Sequence, residues 1–198
     1  MSKKGEILKI AARHFSKYGY KGISLDAIAK EAKITKAAIY YHFKDKAALY
    51  EEVLLFRFEN LIKSIEENLP KENPEMKLKS YIESFGDFLQ KNSCFAAILA
   101  HEFADNGKHM SENAIKALSK TLNILTSILN EGIKKNIFEM ENPMVVQMMI
   151  VSTLIMHQTT KELRSKVAGF IKDYEVLPEP NIKDLSKILS KKILKAIK

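Results

Sequence analysis

Thr35, Lys36, Ala37, Tyr40, Tyr41, His42 and Lys46 fall within residues 35–46, a run of hydrogen-bond donors and one small methyl on a segment of helical apolar spacing. Lysine and tyrosine donors reach phosphate oxygens. A lysine or a methyl at the start of a helix meets base edges or a thymine methyl in the major groove. Tyrosines beside Phe43 also suit a packing role between helices, so the set has to be judged as a whole. What would present it is legible just upstream. Leu25, Ile28, Ala29 and Ala32 recur at i, i+3, i+4 and i+7 and make one buried stripe. Ser24 caps that helix, Lys33 and Ile34 break the period, and Thr35 caps a second helix whose inward residues are Ile39 and Phe43. Two short helices joined by so tight a break form a helix-turn-helix, the second helix being the one that enters DNA. Ser24, at the first cap, and Lys46, beyond the second helix, complete the candidate contact set.

Ala12, Phe15, Gly19, Ser24, Ile28, Ala29, Ala32, Ile34, Thr35, Ile39, Tyr40, His42, Phe43, Lys46 and Leu49 stand in the order and spacing of the tetracycline-repressor signature. The sequence resembles a TetR-family transcriptional regulator over its first quarter, and beyond that in length and helical pattern. The resemblance implies a DNA-binding dimer joined through its last two long helices. Two positions depart from the pattern. Lys33 stands where the family usually has glycine in the turn, and a left-handed lysine costs about 1 kcal/mol, which predicts a different turn geometry. Ala38 stands where glycine is common on the recognition helix.

Charge divides the chain in the same way without any appeal to family. Residues 1–46 hold 11 Lys or Arg against 4 Asp or Glu, and residues 47–198 hold 21 against 20, so nearly all of the net +8 lies at the start. A basic block on a near-neutral body marks one polyanion-binding module. Lys3, Lys4, Lys9, Lys17, Lys21, Lys36, Lys44 and Lys46 are its candidates for phosphate neutralisation, and Lys9 also reads as a solvated surface lysine. The N-terminal stretch has lysines but no continuous apolar core of a signal peptide, so a cytoplasmic location is expected. Cys94 is the single cysteine; it cannot form an internal disulfide and reads as a small apolar residue ahead of a redox thiol. Gly-rich phosphate loops, nucleophile elbows and H-E-x-x-H are absent, so neither an enzyme nor a cofactor is indicated.

With 7 Gly and 5 Pro in 198 residues the chain reads as all-α. The expected architecture is an N-terminal three-helix DNA-binding domain over 1–46 and a larger helical ligand-binding and dimerisation domain over 47–198. Ile7, Ala11, Phe15 and Tyr18 line a bracing helix that Gly19 ends. Asp45 caps a helix over 46–69, with Leu49 and Val53 toward the DNA module and Leu54, Phe58, Leu61 and Ile65 toward the larger domain. After a break at 70–75, a helix carries Leu78, Ile82, Phe85 and Leu89. CFAAILAHEFA, residues 94–104, is apolar nearly all round and too short for a bilayer, so it reads as a central buried helix. An amphipathic helix follows to about 136, and Asn142 and Pro143 start one long doubly apolar helix over 144–170 that must bury two sides. The last helix, about 181–197, presents Leu185, Leu189, Ile193 and Ala196 on one stripe. It reads as packing on a partner subunit, ahead of a membrane-surface role, so no membrane partner is expected.

Met144, Met148, Met149 and Met156 crowd one helix. Phe85, Phe88, Leu99, Phe103, Leu125, Met148, Ser152 and Met156 are the candidate lining of an adaptable apolar cavity for an acyl-like or aromatic effector, ordinary core being the competing reading. His101, Glu102, Asp105, His109 and His157 are the one group resembling metal ligands; pocket or core histidines are the preferred account and no metal is expected. The reading is a repressor that binds a palindromic operator in double-stranded DNA as a homodimer and is released by a small apolar ligand. The alternative is a constitutive architectural DNA-binding protein.

Overall fold

The computed structural model describes residues 2–71, 73–171 and 178–198. Among them are ten helices and no strand: α1 (Lys3–Tyr18), α2 (Leu25–Glu31), α3 (Lys36–His42), α4 (Lys46–Asn68), α5 (Pro74–Lys91), α6 (Ser93–Ala104), α7 (Glu112–Lys134), α8 (Pro143–Thr159), α9 (Lys161–Ala168) and α10 (Ile182–Ala196). Side chains that cap the first amides set most of the starts. Ser24 accepts from Ala27 N and Thr35 from Ala38 N, each at 3.2 Å, and Asp45 accepts from Ala48 N at 2.8 Å. Asn73 and Asn142 cap helices whose first residue is proline, and Asn181 caps α10 at 3.0 Å. Gly19, at φ +67, ends α1 as expected.

The chain forms two compact units, residues 1–62 with 94–120, and residues 63–93 with 121–198. In the first, α1 buries Ile7, Ile10, Ala11, Ala12 and Phe15 against the helix-turn-helix, while Leu49, Val53, Leu54, Phe58 and Leu61 of α4 are fully buried. Phe58 meets Phe95 of α6 edge to face at 5.1 Å, so it belongs to this unit. The charge division at residue 46 and the division by compactness therefore fall at different places. Cys94 is only half-buried.

In the second unit α10 packs on α5. Its buried residues are Ile182, Ser186, Leu189, Ser190, Ile193 and Ile197, whereas Leu185 is half-buried and Ala196 exposed. The expected stripe is thus rotated, and it faces the chain's own core. Small residues are the reason: a Cβ on Gly86 of α5 would stand 2.6 Å from Ser186 Cβ, an approach that only a glycine at position 86 permits. The segment expected as one helix over 144–170 is two. Thr159 and Thr160 turn their hydroxyls back to the Ile155 and Met156 carbonyls at 2.8 and 2.5 Å, and Arg164 Nη1 also donates to Met156 O. Those carbonyls receive side-chain donors, and the helix breaks between Thr159 and Lys161. Gln147, which interrupts the apolar pattern, accepts from the buried Tyr81 hydroxyl at 2.9 Å. Burial pushes the Tyr81 hydroxyl far above its ordinary range, so it remains a donor.

Candidate nucleic-acid interface

The turn between α2 and α3 is built on backbone hydrogen bonds. Lys33 N donates to Lys30 O at 3.2 Å and Ile34 N to Ala29 O at 3.0 Å, the paired bonds of a Schellman motif. Lys33 sits at its left-handed position with φ +52. The expectation of a different turn geometry is corrected: the turn keeps the left-handed form and the lysine bears the strain, because the two bonds satisfy carbonyls that would otherwise be orphaned.

That turn fixes α3 with one face in and one face out. Ile39 and Phe43 are buried, whereas Lys36 and Ala37 are exposed, Tyr40 is 49% exposed and Tyr41 86%. A tyrosine on a short helix that leaves most of its surface in solvent is not a packing staple, so for Tyr41 that reading fails. His42 is half-buried, its ring 5.0 Å from Tyr41 and 6.1 Å from Phe43. Lys36 Nζ lies 2.8 Å from Asp26 Oδ2, and that carboxylate raises the lysine above its ordinary value. Lys36 is thus held at the start of α3 by a solvent-exposed partner that a phosphate or a guanine edge can replace. Ser24 and Thr35 use their oxygens as caps and keep their hydroxyl hydrogens to donate.

Lys46 is placed differently. Its ammonium donates to Tyr20 O and Ile23 O, both at 3.0 Å, and lies 4.3 Å from the centre of the Tyr20 ring. Two of its three hydrogens tie α4 to the loop before α2, so its main employment is structural. Lys4 pairs with Glu52 at 2.6 Å and Lys21 with Asp105 at 3.1 Å, exposed pairs that a phosphate can replace as it can that of Lys36. The sequence reading missed the brace on the other side: Arg13 and His14 of α1 clasp Glu31 of α2 at 2.7 and 2.6 Å. Arg13 and Glu31 lie 18 positions apart, beyond any helical spacing, so local pattern gave no signal.

The eight residues nominated for an apolar effector do not share one surface. Phe85, Phe88, Leu99 and Leu125 are buried, whereas Phe103, Met148, Ser152 and Met156 are exposed. Helical register separates the last three from the core: at i, i+4 and i+8 they share a stripe of α8, while Val146, Ile150 and Leu154 face inward. Three surface concavities, of about 350, 550 and 480 Å³, are lined by other residues.

Residues 7–53 match the model of bacterial regulatory proteins of the tetR family, and residues 74–170 match the tetracyclin repressor-like C-terminal domain. The chain belongs to the TetR family. It is 30% identical over 146 residues to the uncharacterized HTH-type transcriptional regulator YerO of Bacillus subtilis, covering 70% of this chain and 50% of that protein. It is also 30% identical over 139 residues to the HTH-type transcriptional repressor NicS of Pseudomonas putida, covering 67% of this chain and 64% of that one. The matched stretches thus span from half to just under two thirds of these relatives' lengths. FadR from Bacillus subtilis, solved in complex with stearoyl-CoA, shares the fold, with a TM-score of 0.72 at 22% identity over 98% of this chain and 99% of that one. Both matched domains are those of TetR-family transcriptional regulators. Among its described residues no helix is long and apolar enough to cross a membrane.

Proposed function

We propose that this regulator represses transcription by binding a palindromic operator as a homodimer, and that a small, largely apolar effector releases it. The observation that carries the DNA-reading half is the outward face of α3, where Lys36, Ala37, Tyr40 and Tyr41 stand in solvent on a helix whose other face is core. Thr35 and Ser24 donate to backbone phosphates at the two helix starts, Tyr41 and His42 add backbone contacts, and Lys36 and Ala37 meet base edges. Lys46 supports the recognition helix from behind and contributes through its remaining hydrogen. Dimerisation is supported by α8, where Met144, Val145, Met148, Met149 and Met156 expose a methionine-rich stripe opposite the buried one. An apolar stripe of that length on a DNA-binding chain fits a second copy, which supplies the other recognition helix for a two-fold site.

The effector reading rests on the apolar residues Phe85, Phe88 and Leu125 inside the second unit, and on the stearoyl-CoA bound by the structurally similar FadR. Met148, Ser152 and Met156 are reassigned to the dimer face. The second reading is a constitutive DNA-binding protein whose larger unit only dimerises; it is favoured by the exposure of Phe103, Met148, Ser152 and Met156, which leaves half of the nominated lining outside the core.

One experiment tests both halves. Duplexes selected from a random pool with the purified chain should contain an inverted repeat. Lys36→Ala should change the preferred bases, whereas Tyr41→Ala should weaken all duplexes alike and leave the salt slope unchanged, since its hydroxyl carries no charge. Wild-type affinity in all of Lys36→Ala, Tyr40→Ala and Tyr41→Ala would sink the assignment of α3. A fluorescent fatty acid added to the complex should be bound and should release the duplex; no binding by any apolar probe leaves the constitutive reading.

A further inference from the structure

Three of the residues that look like metal ligands in the sequence, Glu102, Asp105 and His109, come together, but among the described residues no group of three or more His, Cys, Asp or Glu is arranged to hold a metal ion. They are employed in another way. Glu102, near the end of α6, is 1% exposed, and both of its oxygens are taken. The Tyr50 hydroxyl of α4 donates to Oε1 at 2.7 Å, and the His109 backbone N–H donates to Oε2 at 3.2 Å. The His109 ring turns back on the same carboxylate, with Nδ1 3.4 Å from Glu102 Oε1, and stacks on Tyr20 at 4.5 Å. Asp105 holds Lys21 at 3.1 Å, and His101 Nε2 donates to the Ser16 carbonyl at 3.2 Å. Within the first compact unit, α6 and the loop after it thus grip the DNA-reading helices at three separate segments. These are the end of α1, the α1–α2 loop with Tyr20 and Lys21, and α4 with Tyr50.

A buried carboxylate is a poor source of stability, because removing it from water offsets most of what its partners return, and packed apolar residues would serve as well. Its distinctive property is geometric: two directed hydrogen bonds, from the Tyr50 hydroxyl on α4 and from the His109 N–H in the loop after α6, are satisfied together only when the two segments hold one arrangement. Burial, followed by the hydrogen bond to Glu102, pushes the Tyr50 hydroxyl far above its ordinary range, so it is a permanent donor in this arrangement. The Tyr50 ring is separately locked by Phe15 at 4.7 Å and Tyr20 at 5.0 Å, so loss of the hydroxyl alone leaves the packing in place.

We propose that the clasp centred on Glu102, with Tyr50 and His109, is a positioning device for operator recognition: it fixes the pose of α1–α3 on α6, and with it the angle at which α3 meets the groove. This rests on the DNA-binding reading above. Neither Glu102 nor Tyr50 touches DNA. Both act through the pose of the helices that do, so their removal should cost selectivity before it costs stability or general affinity for DNA.

The test uses the full chain and two duplexes of equal length, one selected by the wild type from a random pool and one of scrambled sequence. Tyr50→Phe and Glu102→Gln should bind the selected duplex about tenfold more weakly. Binding to the scrambled duplex at low salt, which the lysines govern, should stay as in the wild type, and the thermal midpoint of Tyr50→Phe should move little. Wild-type affinity of Tyr50→Phe for the selected duplex would overturn the proposal. So would a parallel loss on both duplexes, which would reduce the clasp to ordinary stability. Tyr50→Phe decides alone if Glu102→Gln does not fold. A wild-type chain that selects no duplex at all would instead overturn the DNA-binding reading on which the clasp depends.

Discussion

Lys33 concentrates the tension between local backbone preference and the turn that DNA reading needs. At φ +52 it occupies a region that L-residues other than asparagine and aspartate seldom enter, and two backbone hydrogen bonds hold it there. Lys33→Gly should therefore stabilise the chain by about 1 kcal/mol, a rise of roughly 2–4 °C in the thermal midpoint. An unchanged or lower midpoint would mean that the lysine side chain makes good its own strain. A second residue sets a pH dependence. Burial, followed by the nearby Arg164 charge, holds His157 below its ordinary value of 6.5. The folded chain then binds the proton less readily than the unfolded chain, so this residue's stabilising contribution is present above pH 6.5 and is lost as pH falls toward the folded value. Thermal midpoints measured from about pH 7.5 to pH 5 should fall more steeply for the wild type than for His157→Gln. Parallel curves would remove His157 from the account.

At the scale of helices, the sequence was most legible where a single local rule decides. Ser24, Thr35, Asp45, Asn142 and Asn181 all cap the helices expected of them, and Gly19 closes α1. It was least legible where a distant partner decides. The face of α10 differs from the expected one because apolar spacing favours Leu185 and Ala196, whereas the close approach of Gly86 recruits Ser186 to the buried side. Nothing in α10 alone signals that α5 carries a glycine at the crossing point. The crossing can be tested directly. Gly86→Ala sets a methyl 2.6 Å from Ser186 Cβ and 2.8 Å from its hydroxyl, and should cost about 1–3 kcal/mol in urea denaturation. Adding Ser186→Gly should recover most of that loss. A double variant no more stable than the single one would show that the cost lies elsewhere than at this contact.

At the scale of the whole molecule, the remaining question is how an effector would reach the DNA-reading helices. α4 runs from the first compact unit, through Ile62, into the second, from Lys63, and α7 does the same between Lys120 and Thr121. Leu49, Val53, Leu54, Phe58, Leu61 and Ile65 are buried along the length of α4. An effector that prefers a different tilt of α4 would change the pose of α3 and, in a dimer, the separation of two recognition helices that should lie about one DNA turn, roughly 34–36 Å, apart. The coupling energy expected of such a device is about 1–3 kcal/mol, a factor of roughly 5 to 150 in affinity. Thermodynamic linkage makes this testable without knowing the path of the motion. Whatever factor the effector takes from operator affinity, operator must take from effector affinity. Titration calorimetry with a fatty acid that releases the selected duplex should give weaker binding to the DNA-bound dimer than to the free one, by the factor seen in the DNA titration. Equal affinity for the two forms would mean that release proceeds by some route other than coupling through α4, competition for the DNA surface included.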